Sequence, residues 1–354
     1  MIRLLVAAAT RFGRLCVLFF VVPALLIGAL WLAFLDRYPL VVLASALMVI
    51  PMVLLAVALL TGTVFMVAGD KREASVTEAQ APGLWRLWRE VAGDRLARRT
   101  TLVINDDFNA AIGETRGVFG RRADLFVGLP LLTLLDIRAL KAVLAHELAH
   151  FRHKDTNGSL KLTELEMSFN AIFDYAPPGT TLSGSVLYWA LGPLARAFEK
   201  EELRLSRVAE LEADRLSATL GDQHETARAL ILIVAGTELV KERVFIPLQR
   251  EMLGAISAPR TPMTRILEVA PDMRSAETLQ ALLPPRAPED DDDSAMTHPH
   301  WRKRLASLGF EEPPAVDPPL SFAVEEMLDA EFLAEKRTAL DALWLAKVAD
   351  YLDR

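Results

Sequence analysis

The sequence predicts a mainly helical chain with a small β-sheet, set behind an N-terminal pair of membrane-spanning helices. Three observations predict it. Two long uncharged runs stand at the front, the hydrophobic period shortens to two between Thr101 and Val127, and His146-Glu147-Leu148-Ala149-His150 lies in a helical pattern just beyond. Of 354 residues, 52% are hydrophobic, and the mean hydropathy is +0.26, more apolar than an ordinary soluble domain. The excess sits mostly at the front, and no internal repeat is present.

Leu15 to Leu35 is an uncharged run of 21 residues, and Leu40 to Gly69 is one of 30. At about 1.5 Å per residue, the first just crosses a hydrocarbon core of about 30 Å. The second crosses with tilt or a kink, for which Pro51 is the natural place. Asp36-Arg37-Tyr38-Pro39 leaves room only for a hairpin turn. The first run is too long for the apolar part of a secretory signal and leads into the second without a small-residue cleavage site. Residues 1–70 are therefore expected to form a transmembrane hairpin, with spans at about 15–35 and 40–69.

Arg3, Arg11 and Arg14 precede the first span, Lys71, Arg72, Arg86 and Arg89 follow the second, and the hairpin tip offers only Arg37 beside Asp36. The positive-inside rule then places the N-terminus and residues 71–354 in the cytoplasm of an integral membrane protein. The single cysteine, Cys16, lies within the first span, so no intramolecular disulfide can form. A net charge of −7, with no basic-aromatic surface motif, argues against nucleic acid as a partner.

After the hairpin, Ala74 to Arg99 reads as an amphipathic helix whose Trp85 and Trp88 suit either the membrane interface or packing on the following domain. Thr101–Ile104, Asn109–Gly113 and Arg122–Val127 then read as three short strands separated by turns. Thr133 or Asp136 is placed to cap the next helix, Asp136 with a charge that suits its dipole. In that helix Leu140, Val143, Leu144 and Leu148 form an apolar side, which buries it.

Residues four apart share a helix face, so His146 and His150 can reach one metal ion. Glu147, one residue after the first histidine, is placed to take a proton from a water at the ion's open position. Two neutral nitrogens, one further protein ligand and a water are what a catalytic zinc uses. From the residues alone, the third ligand could be Glu210, Glu212, Glu164 or Glu166.

Four pieces between Asn109 and Arg304 carry a family resemblance. They are Asn109-Ala110, followed here by Ala111-Ile112; His146-Glu147-Leu148-Ala149-His150 with Asp155 five residues on; Glu210-Leu211-Glu212-Ala213-Asp214; and Thr297-His298-Pro299 with Arg304 five residues after the proline. In this order, behind a membrane hairpin, the chain resembles the M48-type membrane zinc metallopeptidases, the group of HtpX-like and Ste24-like proteases. Asn109-Ala110 matches only the start of the family's Asn-Ala-Phe-Ala substrate-strand motif.

The resemblance implies a zincin-like metallopeptidase domain over 71–354, one Zn²⁺ per chain held by His146, His150 and Glu210, and Glu147 and His298 as catalytic groups. Asp214, Asp155 and Arg304 would support the ligands from outside, with Arg304 paired to a carboxylate such as Asp214 or Asp155. Asn109, Ala110 and Ala111 would bind extended substrate at a strand edge. His300 is a second choice for the role of His298, stabilising the oxyanion. The implied function is zinc-dependent proteolysis of membrane or misfolded proteins at the bilayer, in keeping with quality control in a bacterial inner membrane. Its rivals are a non-catalytic zinc-containing adaptor, which Glu147 disfavours, and a narrow prenyl-protein-type peptidase.

Three further segments complete the expectation. Ala176 to Ala195 is uncharged but interrupted by prolines and glycines, so a loop with an interfacial helix at about Ser185 to Phe198 is expected rather than a span. Pro284 to Ser294 is a proline- and acid-rich loop at about 284–295, expected to be solvated. Phe322 to Leu352 reads as a terminal helix or helix pair packed on the domain.

Overall fold

The computed structural model describes residues 18–65, 75–117, 120–157, 179–180, 182–253, 257–284 and 298–352, together with positions 6, 8, 11, 12 and 16. The chain divides into two compact units. One comprises Met1–Lys71, His153–Ala209 and Ser294–His298, the other Arg72–Arg152, Glu210–Asp293 and Pro299–Arg354.

In the first unit the apolar runs form helices α1 (Leu18–Ala33) and α2 (Pro39–Phe65). Trp31 crosses the short turn between them and donates its indole N–H to Ser45 Oγ at 2.9 Å and to the Val42 carbonyl at 3.1 Å. Leu40, Leu43 and Leu47 are 81%, 73% and 87% exposed, a concentration of bare leucine that suits lipid and not water. The two expected spans are not equal, however. Among the described residues only Pro39–Val57, 19 residues long, is long and apolar enough to cross a membrane, whereas Val21–Ala33 is a shorter apolar helix. The 16 residues of α1 rise about 24 Å, short of a hydrocarbon core of about 30 Å.

In the second unit the expected helix over Ala74–Arg99 is shorter and broken. It becomes α3 (Pro82–Ala92) and α4 (Asp94–Ala97), separated by Gly93, whose φ of 82° no helix allows. Leu84, Leu87 and Trp88 turn into the core, and the indoles of Trp85 and Trp88 donate to the Val76 carbonyl and Thr100 Oγ1. Of the two uses open to these tryptophans, they serve the core.

The three expected strands appear as β1 (Thr100–Asn105), β2 (Ala110–Gly117) and β3 (Gly120–Gly128), in the order β1-β3-β2. β3 runs parallel to β1 and antiparallel to β2, so β2 is an edge strand. Ala123, Leu125 and Val127 alternate inward along β3, the period-two pattern of a sheet covered on one face. At the end of β3, Gly128 cannot carry a side chain, because a Cβ there would fall 1.6 Å from the Asp107 carbonyl oxygen.

Short α5 (Leu129–Leu134) leads to α6 (Ile137–Asn157), which carries the two histidines. Asp136 caps α6 by accepting the Ala139 N–H at 2.9 Å, while Thr133 lies inside α5 and donates to the Leu129 carbonyl. Leu140, Leu144 and Leu148 are fully buried and share one core with the inner face of the sheet. α6 is thereby fixed against a rigid layer.

α7 (Leu182–Leu220) corrects the expected loop with a short interfacial helix. It is continuous over 39 residues, with Pro193 inside it. Gly184, Gly192 and Pro193 are accommodated within it, while Pro177 and Pro178 lie outside the described residues, and within the first unit Leu194 and Phe198 pack against Val21 and Ala24 of α1 and Ala56 of α2. Then follow α8 (Gln223–Val240), capped by Asp222, a π-helical turn at Lys241–Phe245, and α9 (Ile246–Met252). The rest of the unit is α10 (Pro262–Val269), α11 (Ala276–Leu282), α12 (Trp301–Ser307), and the pair α13 (Ala323–Met327) and α14 (Ala330–Leu352).

Candidate metal centre

Two helices build the site, and both present it from within the second unit. α6 offers His146 and His150 on one face, and α7, bearing Glu210, meets that face. Nε2 of His150 lies 3.0 Å from Nε2 of His146, Oε1 of Glu210 lies 3.1 Å from His150 Nε2, and Oε2 of Glu210 lies 3.5 Å from His146 Nε2. Tetrahedral zinc with bonds of about 2.0–2.1 Å separates its ligand atoms by roughly 3.3 Å. The three donors already stand at that spacing, and their residue types are those of a catalytic zinc. They fit the ion.

Behind the donors lies a chain of buried charge. Asp214, one turn after Glu210 and 2% exposed, sets Oδ1 3.0 Å from His146 Nδ1. Arg304, from α12, donates Nε and Nη2 to the two oxygens of Asp214 at 2.8 and 2.7 Å. Its Nη1 lies 3.3 Å from Glu210 Oε2. Glu147, half-buried on α6, adds a further negative charge that acts on Arg304. Three carboxylates stand against the one guanidinium of Arg304, a surplus of negative charge that suits a cation.

The titration behaviour expresses the same field. Burial lowers the basicity of His146, but hydrogen bonds to Asp214 and Glu210 outweigh it and hold its pKa at about 9. Burial pushes Asp214 up, and its bonds to Arg304 and His146 more than reverse this, leaving it below the ordinary carboxylate value. Arg304 is raised despite its burial by Asp214 first and then by Glu210 and Glu147.

The sequence-derived candidates divide clearly. His146, Glu147, His150, Glu210, Asp214 and Arg304 come together in one unit, across as many as 158 residues of sequence. Asn109 leads into β2, which Ala110 and Ala111 open, with Ala110 buried and Ala111 exposed. His298 is exposed and ends the first unit's share of the chain. His300 caps α12, its Nδ1 accepting the Arg302 N–H at 3.4 Å. Asp155 has helical backbone within α6, while its side chain, Glu164, Glu166, Thr297 and residues 285–295 of the acidic loop lie outside the described residues.

A residue without any local signal in the sequence also matters. Arg228 of α8 donates to both oxygens of Asp136, at 3.1 and 2.5 Å, and to the Asp317 carbonyl at 2.8 Å. It thereby clamps the cap of the histidine helix. Nothing near Arg228 in sequence announces a partner 92 positions away.

Comparison with known proteins finds a family and relatives by sequence. The model of peptidase family M48 matches residues 101–311, from β1 through both ligand helices to beyond Arg304. A protease HtpX homolog of Ralstonia pickettii (strain 12J) is 30% identical over 166 residues, covering 44% of this chain and 57% of that protein. A protease HtpX homolog of Burkholderia lata is 30% identical over 167 residues with the same coverage. The match thus spans a little over half the length of these relatives, 57%. The crystal structure of S. mikatae Ste24p aligns with 83% of this chain and 64% of that one, at 16% identity and a TM-score of 0.42.

Proposed function

The chain belongs to peptidase family M48, and from that premise we propose that it is a membrane-anchored zinc-dependent endopeptidase acting on membrane or misfolded proteins. One observation carries the reading: three donors gathered close enough to share one ion, with Glu147 next to His146 on the same helix and its charge acting on Arg304. In this reading His146, His150 and Glu210 hold Zn²⁺. When bound, the ion supplies a Lewis acid that lowers the pKa of water towards about 7 and polarises a carbonyl.

The chain's own residues do the rest. Glu147 takes the proton of the attacking water and returns it to the leaving amine, so that one carboxylate serves as base and then as acid. Asp214 holds His146 at Nδ1, which fixes the ring's orientation and leaves Nε2 facing Glu210 and His150. Arg304 holds Asp214 and offsets Glu210, so that two buried carboxylates tolerate each other's proximity. Asp155 would orient a histidine from the same helix, and His298 would donate to the oxyanion as the carbonyl becomes tetrahedral. An extended substrate would pair along Asn109 to Ala111, where β2 forms an edge of the sheet.

The proposed organisation is a hairpin over 1–70 and a zincin-like domain over 71–354 on the cytoplasmic side of a bacterial inner membrane. The long apolar α2 and the basic residues flanking the hairpin support it. The test is metal analysis and protein cleavage by the detergent-solubilised chain beside Glu147→Gln. Zinc at one per chain in both, with cleavage only by the parent, is the expected result. Equal cleavage by both would end the enzyme reading.

A further inference from the structure

α7 meets α6 through more than its metal ligand. Glu210, Asp214 and Ser217 fall on one face of α7 at successive turns, and each meets α6 one turn further back. Glu210 reaches the Nε2 atoms of His150 and His146, Asp214 reaches His146 Nδ1, and Ser217 Oγ donates to the Ala142 carbonyl at 2.9 Å. In an α-helix the carbonyl of Ala142 is also the acceptor for the amide of His146, four residues on. The Ser217 hydroxyl therefore grips the turn from which the first histidine projects.

Packing alone does not call for a hydroxyl there. Ser217 is 1% exposed, and Ala145, Ala149 and Ala213 show that small apolar side chains fill the buried positions nearby. Burying a hydroxyl among them is costly unless it bonds, and a neutral bond returns little net stability, so alanine would pack nearly as well. What the hydroxyl adds is direction. A bond of fixed length sets the slide of α7 along α6, and a slide of about 1 Å is enough to move Glu210 out of the spacing it shares with the two imidazoles. Thr226 of α8 stands 3.4 Å from Ser217 Oγ, but its own hydrogen goes to the Asp222 carbonyl, so the bond to Ala142 is what orients the serine hydroxyl.

We propose that Ser217 is a positioning residue of the metal site, holding Glu210 and Asp214 in register with His146 and His150. This rests on the zinc reading above, and the test keeps the two apart. In the full chain in detergent, zinc Kd is measured by chelator competition, alongside kcat, KM and the melting temperature of the metal-free form, for the parent, Ser217→Ala and Ser217→Thr. Threonine adds a methyl but keeps the hydroxyl donor, and Ser217 lines a cavity of about 580 Å³.

Ser217→Ala is expected to weaken zinc binding about tenfold or more and to lower kcat, with the metal-free melting temperature close to the parent's. Ser217→Thr is expected to restore both. Parental Kd and kcat in Ser217→Ala would overturn the proposal, as would a loss of activity that only follows a loss of folded protein. Should Ser217→Ala not fold, Ser217→Cys, which keeps the size with a far weaker donor, is read on the same scales and with the same two outcomes. A parent chain that binds no zinc would instead overturn the zinc reading on which this rests.

Discussion

Arg304 and Asp214, 90 residues apart in sequence, form a two-pronged ion pair in which Nε and Nη2 donate to the two carboxylate oxygens at 2.8 and 2.7 Å. The pair stands directly behind His146, whose Nδ1 faces the same carboxylate. Neither partner touches the ion's position, yet together they decide whether the histidine and Glu210 can be there in the right charge state.

Removing the guanidinium leaves Asp214 and Glu210 buried without their counter-charge, and breaking such a pair costs about 3–5 kcal/mol. Arg304→Met is therefore expected to be strongly destabilised in its metal-free form, as read by denaturant unfolding. Added zinc should restore part of the loss, since the ion supplies positive charge to the same carboxylates. Arg304→Lys should rescue only in part, because an ammonium keeps the charge but cannot make the parallel pair of bonds. A metal-free Arg304→Met of parental stability would show that the pair carries no weight.

Glu147 and Glu210 separate by what each variant loses. Glu147→Gln should keep zinc and lose kcat by a factor of about 10²–10⁴ or more, because only proton transfer is removed. Glu210→Ala should lose zinc itself, measured by elemental analysis after dialysis. Stoichiometric zinc in Glu210→Ala would move the third ligand to Glu212, Glu164 or Glu166.

The cap of the histidine helix supplies a prediction in pH. Burial raises the pKa of Asp136, but the Arg228 guanidinium and the Ala139 amide outweigh it, and the net shift is downward. A carboxylate depressed by folding contributes stability above its unfolded pKa of about 3.9, and that contribution is lost as pH falls through the lower folded value. Asp136→Asn keeps a good capping side chain but takes from Arg228, 7% exposed in its side chain, its two-pronged carboxylate partner, leaving it Glu225 at 3.2 Å and the Asp317 carbonyl. The variant should melt well below the parent at pH 7, and the gap should close as pH drops below about 4. A gap that stays constant down to pH 3 would remove the ion pair as its cause.

Much of this was legible in the sequence because the signals are local. The absence of charge marks α1 and α2, period-two burial marks β3, and the four-residue step of His146 and His150 marks a shared helix face. Glu210 was legible only through family resemblance, because its partners lie 60 residues or more away and folding alone joins them. Where propensity misled, packing explains the outcome. Pro193 sits inside α7, whose Leu194 and Phe198 are buried against the hairpin helices. Trp85 and Trp88 found hydrogen-bond partners in the core. Arg228 and Ser217 left no trace, since an arginine or a serine in a helix says nothing of a partner 92 or 75 residues away.

The topology can be read by chemistry. With Cys16→Ser as background, a cysteine introduced by Asp36→Cys should react with a membrane-impermeant maleimide from the periplasmic side. A reporter at the C-terminus should respond only after the membrane is opened. The basic flanks on either side of the hairpin motivate both expectations. Labelling of the C-terminus in sealed spheroplasts would reverse the orientation and with it the proposed pool of substrates.

His298 poses the sharpest question, since it lies 148 residues beyond His150 and only folding can bring the two together. It is exposed, it precedes Pro299, and α12 with Arg304 follows within a few residues. An exposed histidine beside a proline has little to contribute to a core, so its substitution should leave melting temperature and yield almost unchanged. If it donates to the oxyanion, its acceptor carries full charge only in the transition state. His298→Phe should then lower kcat by about 10²–10³ while KM and zinc content stay near parental. His300→Phe makes the natural control, because the His300 ring is engaged with the first turn of α12 and its loss should register in stability instead. Parental kcat in His298→Phe, or a fall in kcat matched by a fall in folded protein, would remove His298 from the mechanism and leave the developing charge to the metal alone.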